Sequence, residues 1–222
     1  MKRRHVAHHS TCESSVFNMM TNRSRLRVEA LMIGIPLANL ASDVFEWWMH
    51  KNVLHGRGKK KGDFWNFHWH DHHKSVRRNG HLDESYQRSV FGWHAQGKEA
   101  AGLAAVGLAH APLLPFAPFY TMTVWYRILK YHEVHKRSHL DPEWAREHLP
   151  WHYDHHMGPN QDSNWGVTHA WLDELMGTRE PYIGTEREKR DIDRRAARRA
   201  RTQAREEARK HASLEVATES AA

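Results

Sequence analysis

Two stretches of this chain stand out as apolar against an otherwise polar sequence. The first, Val28 to Met49 (VEALMIGIPLANLASDVFEWWM), is 22 residues long, with Pro36 in its middle and Asp43 and Glu46 near its end. That length suits one membrane crossing, which needs about 20 apolar residues, while the two acids suit a helix buried in a protein core. The second, Ala100 to Tyr126, is interrupted by Pro112, Pro115 and Pro118. Two full crossings would need roughly 40 apolar residues, so the pattern predicts a short helical hairpin with the prolines near its turn.

Polar segments flank these stretches. Residues 1–27 are basic and lack the small-residue cleavage site of a secretory signal, and they read as a mobile lead-in. Between Glu186 and His211 the chain carries eleven Lys/Arg against six Asp/Glu. Such a run predicts a charged helical or disordered tail over 186–222. No nucleic-acid-binding module accompanies it, so nucleic acid is not an expected partner. The expected organisation is therefore a lead-in over 1–27, a central domain over 28–185 that holds both apolar stretches, and the tail.

Composition sharpens this picture at one residue type. Of 222 residues 21 are histidine, against a single cysteine and a formal charge of +7. Cys12 alone excludes a disulfide framework, a four-thiolate zinc site and a cysteine-ligated iron–sulfur cluster built from this chain. The mean hydropathy of −0.81 averages the apolar stretches with histidine-rich and charged ones, so it does not argue against a membrane protein.

The histidines fall in four clusters: His50-Lys-Asn-Val-Leu-His55, His68-Trp-His70-Asp71-His72-His73, His132-Glu-Val-His135-Lys-Arg-Ser-His139, and His152-Tyr-Asp-His155-His156. Residues three or four apart share a helix face. His68 with His72, His135 with His139, and His152 with His155 and His156 could thus each grip one cation from one turn. His50 and His55 differ, because five residues rotate about 140° on an α-helix. They fit only if His55 lies at a helix end, which Gly56 would supply as a stop.

Ten candidate ligands follow: His50, His55, His68, His72, His73, His135, His139, His152, His155 and His156. One tetrahedral zinc takes four, so ten donors suit two metals with about five nitrogens each. Neutral imidazole suits iron, zinc, copper or nickel alike. His70, His132 and His169 stand in reserve; His5, His8, His9, His81, His94, His110, His148 and His211 are not expected to be ligands. Carboxylate-bridged di-iron bundles use Glu-x-x-His, which is absent. The His-Glu-x-x-His of zinc peptidases, Gly-x-Ser-x-Gly and a P-loop are absent too.

With these residues in place the chain resembles the fatty acid hydroxylase/sterol desaturase superfamily of membrane-bound, histidine-rich di-iron oxygenases, over roughly Asp43 to Arg179. The resemblance rests on Glu46-Trp-Trp-Met-His50 through His55-Gly, His68 to His73, His135 to His139, and Trp151-His152-Tyr-Asp-His155-His156. Asn164-Trp-Gly-Val-Thr168 and Trp171-Leu-Asp173-Glu-Leu-Met-Gly177-Thr178 complete it.

The resemblance implies an all-α fold, with membrane-embedded helices under a cytosolic helical cap that holds the ten histidines around two Fe ions, with Zn as an alternative in purified protein. It implies O2-dependent hydroxylation or desaturation of a fatty acyl or sterol-like lipid, with electrons from a separate reductase, cytochrome or ferredoxin. A non-redox metal-binding membrane protein and a carotenoid hydroxylase-type enzyme are the alternatives. Three departures stand out. The second cluster is spaced His-x-x-x-His-His, so His68 and His70 compete for its first position; one apolar segment precedes His50 where the family has a hairpin; and the basic tail has no counterpart. Glu46, Asp71 and Asp154 stand beside or inside the clusters and are expected to accept hydrogen bonds from ligand imidazoles. Tryptophans 47, 48, 65, 69 and 151 could line a lipid path, anchor at the interface or pack the core.

Overall fold

The computed structural model describes residues 31–219, and among them every regular element is a helix. The predicted lead-in, with His5, His8, His9 and Cys12, lies outside the described residues. In chain order the α-helices are α1 (Gly34–Met49), α2 (Lys74–Asn79), α3 (Ala95–His110), α4 (Pro118–Leu140), α5 (Pro142–His148), α6 (Pro150–Met157), α7 (Trp171–Leu175) and α8 (Glu186–Glu219). Two π-helical segments carry the first two histidine clusters: His50–His55 continues α1, and Phe67–His73 leads into α2.

α1, α3 and α4 form a three-helix stem. α1 and α4 run in the same direction, with Gly34 against Tyr120 and Asp43 paired with Arg127 further along. A side chain at Gly34 would strike the Tyr120 backbone nitrogen at 2.8 Å, so the glycine sets how closely the helices approach. α3 runs antiparallel to α4: Trp125 donates to the Gly107 carbonyl at 2.9 Å, while Glu99 reaches His135. The end of α1, the end of α4 and the start of α3 therefore meet at one pole, where the histidines lie.

The hairpin read from the prolines is present. A 3-10 turn over Ala111–Leu113 joins α3 to α4, with proline in the opening positions of the turn and of α4. Proline is tolerated there because the first amides of a helix have no intrahelical acceptor.

The expected membrane crossings are corrected: among the described residues no helix is long and apolar enough to span a membrane. At 1.5 Å per residue the 16 residues of α1 and of α3 reach about 24 Å, short of a hydrocarbon core of about 30 Å. α4 is 23 residues long, but from its tenth residue onward it carries Arg127, Lys130, Glu133, Lys136 and Arg137. The apolar residues do two jobs instead. One face of each helix packs the stem, while Leu37, Leu40, Val44 and Trp48 of α1 and Met122, Tyr126 and Leu129 of α4 stay exposed.

The cap is formed by α2, α5, α6 and the chain around α7. Its apolar core is small, comprising Val76, Ala145, Tyr153, Met157 and Tyr182. The charged run from Glu186 to Glu219 forms α8, tied down at its start. Glu188 pairs with Arg146 and accepts from the Gly184 amide at 2.8 Å, and the Tyr182 hydroxyl donates to Asp191 at 3.2 Å.

Candidate metal centre

The four clusters converge at the pole of the stem, where all ten candidate histidines are buried. One group comprises His50, His55, His68, His73 and His155; a second comprises His72, His135, His139 and His156. His152 joins the second group through His139, its Nε2 lying 3.2 Å from the Nε2 of that residue.

This sorting corrects the pairing expected from helical spacing. In a π-helical turn the bond runs from residue i to i+5, so residues five apart come onto one face. His50 and His55 share a group for this reason, with ring centroids 5.0 Å apart; the segment does end at His55, as expected, with Gly56 as its cap at a right-handed φ of −58. His68 pairs with His73 in the same way, their Nε2 atoms 3.2 Å apart, while His72 turns to the other group. The fourth cluster is split too, because adjacent residues of α6 point in different directions: His155 enters the first group and His156 the second. Two of the expected one-turn pairings are kept within the second group: His135 with His139, at 3.2 Å, and His152 with His156, their ring centroids 4.7 Å apart.

Of His68 and His70, the structure places His68 among the clustered rings. His68 is buried in the first group, whereas His70 turns outward, with its Nε2 3.2 Å from the Lys59 carbonyl. His132 lies near Glu99, and His169 bonds Asp43 at the surface. His94 caps α3, and His110 bonds the Val106 carbonyl of its own helix. His81, not expected to be a ligand, is fully buried beside His139 and His152.

Hydrogen bonds orient the rings. The Nδ1 of His50 meets the Trp165 carbonyl at 2.6 Å, that of His155 the Ser163 carbonyl at 2.6 Å, and that of His139 the His81 carbonyl at 3.1 Å. Carboxylates face three more: Asp162 at His55 (3.3 Å), Asp83 at His72 (3.2 Å) and Glu99 at His135 (3.0 Å). An oxygen acceptor needs a proton on Nδ1, which leaves the lone pair on Nε2. Those Nε2 atoms point inward. His50 and His68, His55 and His73, and His155 and His73 approach at 3.1, 3.1 and 3.2 Å. Nitrogens about 2.1 Å from a shared cation would lie about 3 Å apart. The Nε2 of His72 and both ring nitrogens of His156 have no protein partner. The donor set therefore fits metal ions.

Burial also sets the charge state. It strips water from the imidazolium form and holds His50 at about 4. Burial and the neighbouring rings hold His68, His73, His139, His152, His155 and His156 well below the ordinary histidine range. All are neutral at pH 7, the form that binds a metal. At Glu99 burial opposes the charge, but His135, His132 and the Tyr86 hydroxyl outweigh it and keep the carboxylate below its usual range.

The three carboxylates singled out in the sequence do something else. Glu46 accepts from the amides of Val167 and Thr168, at 2.5 and 2.8 Å, and from the Thr168 hydroxyl at 2.7 Å. Asp154 holds Arg179 and the Ile183 amide, at 2.6 and 2.9 Å. Asp71 is exposed. Their places are taken by Asp83, Glu99 and Asp162, which sequence spacing missed because each is brought in from another segment.

The Asn164 to Thr178 motif also has a physical role. Asp173 accepts from the amides of Trp165 and Gly166, at 2.9 and 2.8 Å, from Trp47 at 3.0 Å and from the Thr178 hydroxyl at 2.6 Å. Asn164, at φ +56, accepts from Arg179 at 2.9 Å and from the Glu180 amide at 2.8 Å. The loop is fixed from both sides, and its carbonyls at Ser163 and Trp165 fix His155 and His50. Of the other tryptophans, Trp69 packs on His55 and His73, Trp151 donates to the Val167 carbonyl, and Trp48 is exposed.

A cavity of about 630 Å³ lies between α1, α3 and α4. Its walls are mainly apolar, with Phe45 and Met49 from α1, Gly102 and Val106 from α3, and Val124 and Ile128 from α4. It extends to His68 and Glu99 at the histidine pole and to His110 and Tyr120 away from it.

Fold and site thus define an all-helical protein with a buried, two-part polyhistidine centre opening onto an apolar cavity. A model of the fatty acid hydroxylase family matches residues 35–178, about two-thirds of the chain, and the protein belongs to that family. No curated protein and no solved structure matches it. The matched span includes all ten histidines and ends before α8.

Proposed function

We propose that the two histidine groups hold two iron ions and that the protein hydroxylates or desaturates a lipid seated in the stem cavity, using O2. The observation that carries this reading is the continuity of an apolar cavity with His68 and Glu99 at the centre. Iron held there would supply the one-electron and dioxygen chemistry that cleavage of an unactivated C–H bond requires. Hydroxylation places one oxygen atom in the substrate and reduces the other to water; desaturation takes two hydrogens and reduces both oxygens to water. Either needs two electrons and two protons, which a separate reductase, cytochrome or ferredoxin supplies.

The chain's own residues bind, orient and exclude water. Phe45, Val106, Val124 and Ile128 hold the apolar chain and keep solvent away. Gly102 leaves room beside Trp65, whose ring lies 3.7 Å from where a side-chain carbon would start. Glu99 holds the His135 ring from the cavity side. The exposed apolar faces of α1 and α4 rest in a lipid bilayer, through which the substrate arrives.

Purified full-length protein tests this reading by metal analysis, O2 uptake on reduction and mass spectrometry of added lipids. Two irons per chain and an oxygenated or desaturated lipid are expected. Zinc alone, with no turnover after iron reconstitution, overturns the oxygenase and leaves a metal-holding protein.

A further inference from the structure

We propose that His81 is an eleventh imidazole donor, serving the cation held by His72, His135, His139, His152 and His156. The proposal rests on the metal reading of these groups. His81 is fully buried, and neither ring nitrogen has a hydrogen-bond partner. A buried polar group without a partner is disfavoured, so both nitrogens call for an explanation. One donor atom each from His81, His139 and His152 falls within 4.8 Å of the other two. The His81 ring lies between His139 and Tyr153, with centroids 4.7 Å from each.

The backbone makes the side chain harder to explain without a ligand. His81 sits at φ +82, directly after Gly80 at φ +71, in the left-handed region that favours glycine. Its amide donates to the Val76 carbonyl at 2.9 Å, and its carbonyl orients His139. Glycine would make both contacts with less strain, and an apolar ring would fill the same space without orphaned nitrogens. What only histidine brings to this position is a nitrogen lone pair, and it is placed beside two rings of the second group.

The test uses cobalt(II) titrated into metal-free full-length protein, as wild type, His81→Gly and His81→Phe. Glycine relieves the backbone and opens a hole the size of the ring; phenylalanine keeps the packing. Two cobalt ions per wild-type chain are expected. In both variants one site should weaken at least about tenfold, with a changed visible cobalt spectrum and one fewer shifted imidazole N–H proton. Free imidazole should restore affinity and spectrum in His81→Gly and not in His81→Phe. Two cobalt ions in wild type with unchanged affinity and spectrum in His81→Gly overturn the role of His81 alone, as does a loss that imidazole leaves unrestored while the spectrum stays wild-type. No cobalt in wild type overturns this proposal together with the metal reading beneath it.

Discussion

The two histidine groups look alike in composition but are held by different chemistry. In the first, His50 and His155 are oriented by carbonyls of the loop around Trp165, and the one carboxylate, Asp162, is half exposed and shared with Lys59 at 2.6 Å. In the second, His72 and His135 face Asp83 and Glu99, which are 4% and 12% exposed. A carboxylate on Nδ1 makes the opposite nitrogen a stronger donor, and more so where water is scarce. The first group depends on a loop being held in place, and the second on buried charge.

Removing a ring from either group should have the largest effect. His73→Ala should lose the first metal and His139→Ala the second, each keeping the other by metal analysis and each abolishing lipid oxidation. Loss of both metals from each variant would break the distinction between the groups.

Acid should come next. The folded-state pKa of these imidazoles is depressed, so the unfolded chain binds more protons below its value of 6.5 and stability falls as pH drops. For His50 the loss runs from 6.5 down to about 4, at about 1.4 kcal/mol per pH unit. Several such rings should make the metal-free protein unfold cooperatively in this window, as followed by circular dichroism against pH. Two separated acid transitions would show that the groups open independently.

Asp173→Ala strips the acceptor from two buried amides, Trp47 and Thr178, and should cost about 3 kcal/mol in a urea melt. The first metal should loosen before the second, because the Trp165 loop orients only the first group. The smallest effects probe the carboxylates. Glu99→Gln or Asp83→Asn should weaken the second metal by about 10- to 100-fold, whereas Asp162→Asn, with its solvated partner, should weaken the first by less. Equal losses in chelator competition would erase the contrast between buried and exposed support.

The histidines themselves were legible because ligand chemistry admits few substitutes. The hairpin turn was legible because proline restricts backbone at helix starts. The partition was not: His68 with His72 is the natural reading of α-helical spacing, and only the π-helical turn puts His68 with His73. The carboxylates were not legible either. His72 and Asp83 are 11 residues apart, His135 and Glu99 are 36, and His55 and Asp162 are 107. Glu46, one turn before His50, and Asp154, beside His155, point to neighbouring chain instead.

By itself, then, the sequence determined an all-helical chain, its ten candidate donors and its family, since these depend on residue identity and local spacing. The assignment of each ring to one of two groups, the carboxylates behind them and the burial of His81 were decided by tertiary structure alone. Which lone pairs converge depends on how π-helical turns and distant loops meet, and neither follows from distance along the chain.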